Sequence, residues 1–283
     1  EYYRPWKEMA PIVSEKVKII NPDYIFLYML DACDAFVSVE GIPKVLGIGV
    51  FPHKSVKVRI KQLRYTSILK WLFAKIEWTL QGPKHLKAAR LALRSIDRIC
   101  AFSDNERKTC EILEPTVNVK YFANPIPDER PIDDQIIFTP NKPFRVSLVG
   151  HLKGSATLNG LSYFADEIIP ALQAKGDFDK FQFEIIGKFD PPKWLLRKFN
   201  YPNIKIMGFV EDFPAAVKSA DAYLVSIPDD VGNRSRIVSA WSIGCCVVCH
   251  GNGRLGMPEL VHGKNSLLGS TGRDIADALI TAC

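Results

Sequence analysis

Arg234 and Arg236 stand out by their setting. In Asp229-Asp-Val-Gly-Asn-Arg-Ser-Arg236 they follow a glycine, and an apolar run begins directly after them. Guanidinium forks match phosphate oxygens, and a helix starting there adds its positive end. The pair is therefore a candidate diphosphate site; the alternative is a solvated loop with two surface arginines. Gly150 and Gly187 each close an apolar run of strand type. Glycine there lets main chain approach a ligand, and a following helix can aim its N-terminus at an anion. His53 lies just past the 44–50 run, where ligands gather in open α/β sheets, although a surface histidine in a basic loop fits equally. His151 directly follows Gly150, while His85, between Lys84 and Lys87, reads as solvated.

Two other patterns carry less. Gly251-Asn-Gly-Arg-Leu-Gly256 has the GxGxxG form, with Asp274 eighteen residues beyond its last glycine. Only some 27 residues follow Gly256, too few for the remaining strands of a dinucleotide domain. Cys246-Val-Val-Cys249 lies in an apolar run read as a strand over 245–249, so the two thiols point to opposite faces. No second CxxC or histidine pair completes a zinc site. The seven cysteines, odd in number and irregularly spaced, read as small buried hydrophobes in a reducing cytosol.

The elements that must position these residues alternate between strand and helix. The first half predicts strands over 24–30 (buried on both faces), 44–50, 98–102 and 117–122. Helices are expected over 65–78 and 83–95, broken at Gly82-Pro83, and from a Ser103…Glu106 capping box to about 113. Residues 124–143 hold five prolines and little periodicity, and mark a domain boundary. The second half predicts strands over 144–149, 181–186, 204–207, 222–226 and 245–249. It also predicts a loop over 150–159, helices over 160–175, 213–219 and 237–243, a helical turn at 258–262, and a last helix from Asp274. This alternation favours doubly wound parallel sheets. The domains read as 1–127, a linker over 128–143, and 144–283. The first 23 residues supply neither an opening strand nor a glycine turn, so the first domain is expected to be incomplete.

With 47% hydrophobic and 24% charged residues, the composition is that of a globular protein, and no apolar run is long enough to span a membrane. Between Lys54 and Arg98 stand twelve Lys/Arg against Glu77 and Asp97, a local excess of +10 in a chain of net charge +6. The remainder is mildly acidic, which predicts two modules with different partners.

In order and spacing, the second half resembles a known family. RVSLVGHLKGSATLNGLSYFADEIIPAL, FEIIGK, NIKIMGFVEDFPAAVKSADAYLVSIP and GNRSRIVSAWSIGCCVVCHGNGRLGMPELVHGKNSLL are similar to successive segments of the retaining glycosyltransferases of family 4 (glycosyl transferases group 1). In the first half, 99–127 resembles the end of that family's acceptor domain. The resemblance implies a GT-B fold, two Rossmann-like doubly wound domains facing a cleft. It implies metal-independent transfer of a sugar from a UDP- or GDP-linked donor, with retained configuration, in polysaccharide or glycolipid biosynthesis. No cofactor is implied; the nucleotide sugar is the substrate.

Carried over by position, the resemblance has Gly150 and the following main chain, with His151 and Asn159 nearby, approach the donor phosphates. Arg234 and Arg236 bind the diphosphate. Gly187, Lys188, Phe209 and Val210 border the base. Asn252, Gly253 and Arg254 face the sugar, and Glu259 steadies their loop. His53 is the catalytic candidate, as the basic residue that the first domain sends toward the donor sugar. The family's paired glutamates fall at Val231 and Ser239, so both carboxylates are missing, and Ser239 can hold the ribose only weakly. A catalytically weakened nucleotide-sugar-binding protein is therefore a second reading, and a GT-B epimerase or phosphorylase a third. The acceptor is expected to be a saccharide or a lipid-linked one. The basic 54–98 stretch, interleaved with Trp71 and Phe73, suits an anionic membrane surface, or else is an ordinary solvated helix face. Nucleic acid is not expected, for no recognition motif accompanies the charge. Asn233-Arg-Ser235 also has the glycosylation-sequon form, which a cytosolic chain would leave unmodified.

Overall fold

Alternating strands and helices build two parallel sheets in the computed structural model, which describes residues 7–123, 125–126 and 140–283. The chain divides into two units, Glu1–Ala123 with Val231–Asn233, and Asn124–Asp230 with Arg234–Cys283. The expected linker lies, over 128–139, outside the described residues.

In the first unit, β1 (Ile25–Tyr28), β2 (Lys44–Ile48), β3 (Arg98–Ala101) and β4 (Val119–Tyr121) pair side by side in that order, all parallel. Helices α1 (Ala10–Ile20), α2 (Cys33–Phe36), α3 (Pro52–Leu63), α4 (Ile68–Arg94) and α5 (Asp104–Leu113) connect or flank them. Leu27, Leu46, Ile48, Phe51, Leu93, Ile99 and Cys110 form the core. The burial expected on both faces of the first strand is corrected: Ile25 and Leu27 point inward, whereas Phe26 and Tyr28 are exposed. The predicted break at Gly82-Pro83 is also absent. Pro83 lies inside the continuous 27-residue α4, because its missing N–H removes one hydrogen bond while buried Ala89, Ala92 and Leu93 still anchor the later turns. The predicted capping box does not form. Ser103 is the N-cap of α5 without a side-chain bond, and Glu106 instead accepts from the Phe51 N–H (3.3 Å) and Lys54 Nζ (3.2 Å).

The second unit holds β5 (Phe144–Val149), β6 (Phe181–Ile186), β7 (Ile204–Gly208), β8 (Ala222–Val225), β9 (Val247–His250) and β10 (Leu267–Gly269), in the order β10-β9-β8-β5-β6-β7. Every pairing is parallel. This is the doubly wound order in which the chain starts centrally, winds outward one way, then returns and winds the other. The helices are α6 (Ser155–Tyr163), α7 (Ile169–Ala174), α8 (Lys193–Leu196), α9 (Phe213–Lys218), α10 (Ser235–Ser242), α11 (Gly253–Gly256) and α12 (Gly272–Ala282). Two apolar clusters fill the unit, one around Phe144, Leu148, Phe164, Phe183 and Leu279, the other around Tyr223, Val225, Ile237 and Leu260.

Several expectations are corrected here. The loop expected over 150–159 ends at Gly154, so Thr157 and Asn159 sit buried on α6. A π-helical turn, Phe164–Ile168, joins α6 to α7 where one helix was expected. The strand expected over 245–249 is displaced to β9; Cys249 is buried in it, while Cys246 precedes it and is exposed. Cys283 is exposed too, so the cysteines are not uniformly buried. The GxGxxG segment makes only the short α11, and no helix covers 258–262.

Candidate functional site

The strand order puts the chain reversal between β5 and β8, so the loops leaving their carboxyl ends border one crevice of the second unit, the place where open parallel sheets bind ligands. At the end of β5, the Gly150 N–H donates to the Ile186 carbonyl (3.0 Å); at the end of β6, the Gly187 N–H donates to the Gly208 carbonyl (2.8 Å). A Cβ on Gly187 would overlap the Gly150 carbonyl oxygen, and one on Gly150 would overlap Thr157 Oγ1. Both positions are therefore closed to any side chain.

Both arginines stand at the start of α10. Arg236 Nη1 donates to the Val149 carbonyl (2.9 Å) and Nη2 to Thr157 Oγ1 (3.4 Å). Its Nη1 would lie 3.0 Å from a Cβ on Gly150. Arg234, the N-cap residue, is only 7% exposed, and its Nη2 bonds the Asp229 carbonyl. Burial, reinforced by Arg236 and opposed by Asp229, pulls the Arg234 guanidinium down to about 10; burial also lowers Arg236. At about 10, Arg234 stays charged at neutral pH, in a setting that disfavours charge. An entering dianion would regain what that burial costs. The surface-loop alternative for the pair is thus corrected: Arg234 is buried, Arg236 is half-buried, and both are oriented by hydrogen bonds.

Two further bonds close the site's rim. Asn159 Nδ2 donates to Asp229 Oδ2 (2.9 Å), which ties α6 to the β8–α10 loop. Asn252 Nδ2 donates to the Pro228 carbonyl (2.7 Å), which ties the loop after β9 to the same segment. Gly253 is buried, and a Cβ there would press on Leu260. Lys188 and His151 are exposed around Phe189. His151 meets that ring edge-on at 5.1 Å, and the Lys153 and Lys188 ammonium groups lie 4.7 and 5.5 Å from its centroid. Phe209 is exposed and Val210 half-buried just beyond β7. Ser239 is half-buried one turn into α10, and Arg254 and Glu259 are exposed.

In the first unit His53 sits near the start of α3, not in a loop; it is 7% exposed and packs against Phe51 at 5.3 Å. Burial, then Lys54 and Lys57, bring its imidazole down to about 4. It is neutral at physiological pH, and its Nδ1 is buried without a hydrogen-bond partner. His85 is half-buried beside Trp78 (5.1 Å), which corrects its reading as solvated.

Sequence reasoning missed Thr157, Asp229 as a structural anchor, and Phe189. Thr157 was hidden by the assignment of 150–159 to a loop; the helical spacing of Thr157, Gly160 and Leu161 was the available signal. Nothing in the sequence marks Phe189, which has a left-handed φ of 73° and whose ring lies among His151, Lys153 and Lys188.

Residues 143–283 match the family model described as glycosyl transferases group 1. The second unit is a glycosyltransferase domain. Among solved structures, the chain is similar to Anabaena Alr3699/HepE, determined in complex with UDP (17% identity, TM-score 0.66, 97% of this chain and 72% of that one). It is similar to sucrose-phosphate synthase from Thermosynechococcus elongatus (13%, 0.68, covering 98% and 69%). It is also similar to the lipopolysaccharide outer core galactosyltransferase WaaB in its apo form (16%, 0.59, covering 97% and 70%). At these identities the likeness carries the fold, which is that of GT-B glycosyltransferases in both units. No curated protein matches the sequence. In the glycosyltransferase domain the Gly150 loop and Gly187 lie at the carboxyl ends of β5 and β6, and the two arginines stand at the start of α10.

Proposed function

We propose that the chain transfers a sugar from a UDP- or GDP-linked donor to a saccharide or lipid-linked acceptor on the cytoplasmic side, with retention of configuration and without a metal ion. One observation carries this reading: buried Arg234 and half-buried Arg236 stand together at the start of α10, with Arg236 against the bare main chain at Gly150. As the bond from anomeric carbon to phosphate oxygen breaks, negative charge grows on the departing diphosphate. Preorganised guanidinium groups meet that charge in the role a metal ion would otherwise fill. The acceptor hydroxyl oxygen takes the phosphate's place at the anomeric carbon, and its proton leaves with the nucleoside diphosphate. Lys188, Phe209 and Val210 are assigned to the base, Asn252, Gly253 and Arg254 to the sugar, Ser239 to a weak ribose contact, and Glu259 to the loop. Neutral His53 is assigned a hydrogen bond to the transferred sugar.

A second reading has one specific observation behind it. The family's carboxylate positions hold Val231 and Ser239, and of the two acids just before Val231, Asp229 is bound to Asn159. That favours a protein that binds a nucleotide sugar without turning it over. A thermal-shift panel of UDP-, GDP- and ADP-sugars, followed by donor hydrolysis, separates the two. Stabilisation with turnover supports transfer; stabilisation without turnover across all donors supports the binding protein. Arg234→Ala should erase the shift, and an undiminished shift would place the phosphate elsewhere.

A further inference from the structure

The loop after β9 is held by a histidine to which the donor reading gives no role. His250, the last residue of β9, is buried, and its Nδ1 accepts the main-chain N–H of Asn252 (3.2 Å). A neutral imidazole has one donor and one acceptor nitrogen, so an N–H directed at Nδ1 puts the ring proton on Nε2. Tyr163, the last residue of α6, meets that ring edge-on at 5.3 Å and 76°. Other bonds tie the loop on either side. The Gly251 N–H donates to the Gly269 carbonyl of β10 (2.8 Å), and the Arg254 N–H to the Gly251 carbonyl (3.1 Å). Asn252 Nδ2 is turned to the Pro228 carbonyl (2.7 Å). The next residue, Asp229, is held by Asn159 and gives its own carbonyl to Arg234. His250 thus anchors one end of a series of contacts that runs through Asn252 to the segment carrying Arg234.

We propose that His250 is a positioning residue: by accepting from Asn252 it fixes the main chain of 251–254 in the place from which that loop meets the donor sugar. The sugar contact rests on the donor reading; the hold on the loop rests on the geometry alone. A main-chain N–H needs an acceptor, and this stretch has little freedom to find another. Gly253 is buried, and a Cβ there would stand 3.1 Å from Leu260 Cδ1. With Nδ1 occupied by Asn252, that nitrogen takes no proton from an acceptor hydroxyl, so the role is positional and not that of a base. Covalent geometry separates the bond from the bulk of the ring. An Asn side chain carries its oxygen as many bonds from Cα as Nδ1 is, and a Gln side chain carries its oxygen one bond further, as Nε2 is. His250→Asn therefore keeps an acceptor for Asn252, whereas His250→Gln and His250→Leu do not.

The test compares these three variants with wild type in the full chain. Without ligand, amide hydrogen exchange over 251–255 should be about 5-fold or more faster in His250→Leu and His250→Gln, and close to wild type in His250→Asn. Wild-type protein isotope-labelled at the histidine nitrogens should show His250 as the Nε2–H tautomer, a readout that needs no variant to fold. By calorimetry, UDP affinity should stay within about 2-fold in all three variants, because Arg234 and Arg236 keep their own bonds. UDP-glucose affinity should fall about 5-fold or more in His250→Leu and His250→Gln, and His250→Asn should restore it. An Nδ1–H tautomer, or equal exchange in all four proteins, overturns the proposal. So do equal losses for UDP and UDP-glucose, or rescue by His250→Gln as full as by His250→Asn, since the ring would then act through packing. Wild type that binds neither ligand overturns the donor reading instead, and the exchange and tautomer results still decide whether His250 holds the loop.

Discussion

At the scale of single residues, the arrangement around Arg236 divides its role in two: charge toward an anion, and a fork held by the Val149 carbonyl and Thr157 Oγ1. Arg236→Lys keeps the charge and loses the fork, so UDP affinity by calorimetry should fall about 10-fold or more, whereas Thr157→Val should weaken it only several-fold. His53 gives a pH signature. Its native imidazole titrates near 4 against 6.5 for the ordinary group, so the unfolded chain binds the extra proton first as pH falls. Its contribution is present above about pH 6.5 and lost between there and about 4, a loss of roughly 1–3 kcal/mol. Urea titrations at about pH 7.5 and pH 5 should show a smaller drop in His53→Gln than in wild type. The cationic pair and the glycines were legible in the sequence because their chemistry is local. Thr157 and Phe189 were not, because their importance comes from which neighbour a fold turns toward them.

At the scale of elements, Pro83 and Gly187 are the informative positions. Pro83 interrupts the hydrogen bonds of α4 without ending the helix, so the interruption is a standing cost. Pro83→Ala should stabilise the protein by about 1–3 kcal/mol in urea denaturation. Gly187 sits where the ends of β5 and β6 nearly touch, its missing Cβ replaced by the Gly150 carbonyl. Gly187→Ala should cost about 1–3 kcal/mol, because two strand ends must part, and should weaken UDP binding with it. If calorimetry finds UDP affinity unchanged in a folded Gly187→Ala protein, the crevice between those strand ends is not the phosphate site. The misread break in α4 and the unformed capping box share one cause. Local rules rank Pro83 and Ser103…Glu106 by their own neighbours, while Ala89, Leu93, Phe51 and Lys54 set the outcome from further along the chain.

At the scale of the whole molecule, each unit has its own sheet and core, the first around Leu46 and Ile48, the second around Leu148 and Phe183. Calorimetry should therefore resolve two transitions, and a saturating nucleotide should raise only the one that belongs to the second unit. A shift of both, or of the first alone, would count against a donor site confined to the second unit. By itself the sequence determined the parallel α/β class, the placement of glycine at strand ends and the cationic pair, because strand–helix alternation and turn chemistry are written residue by residue. Tertiary structure alone decided that Arg234 is buried and Arg236 half-buried, that Asp229 is tied to Asn159, and that Leu69 and Phe73 on α4 are exposed. Each of these depends on which distant segment fills the neighbouring space, and a contact between residues seventy positions apart leaves no mark on the spacing of either.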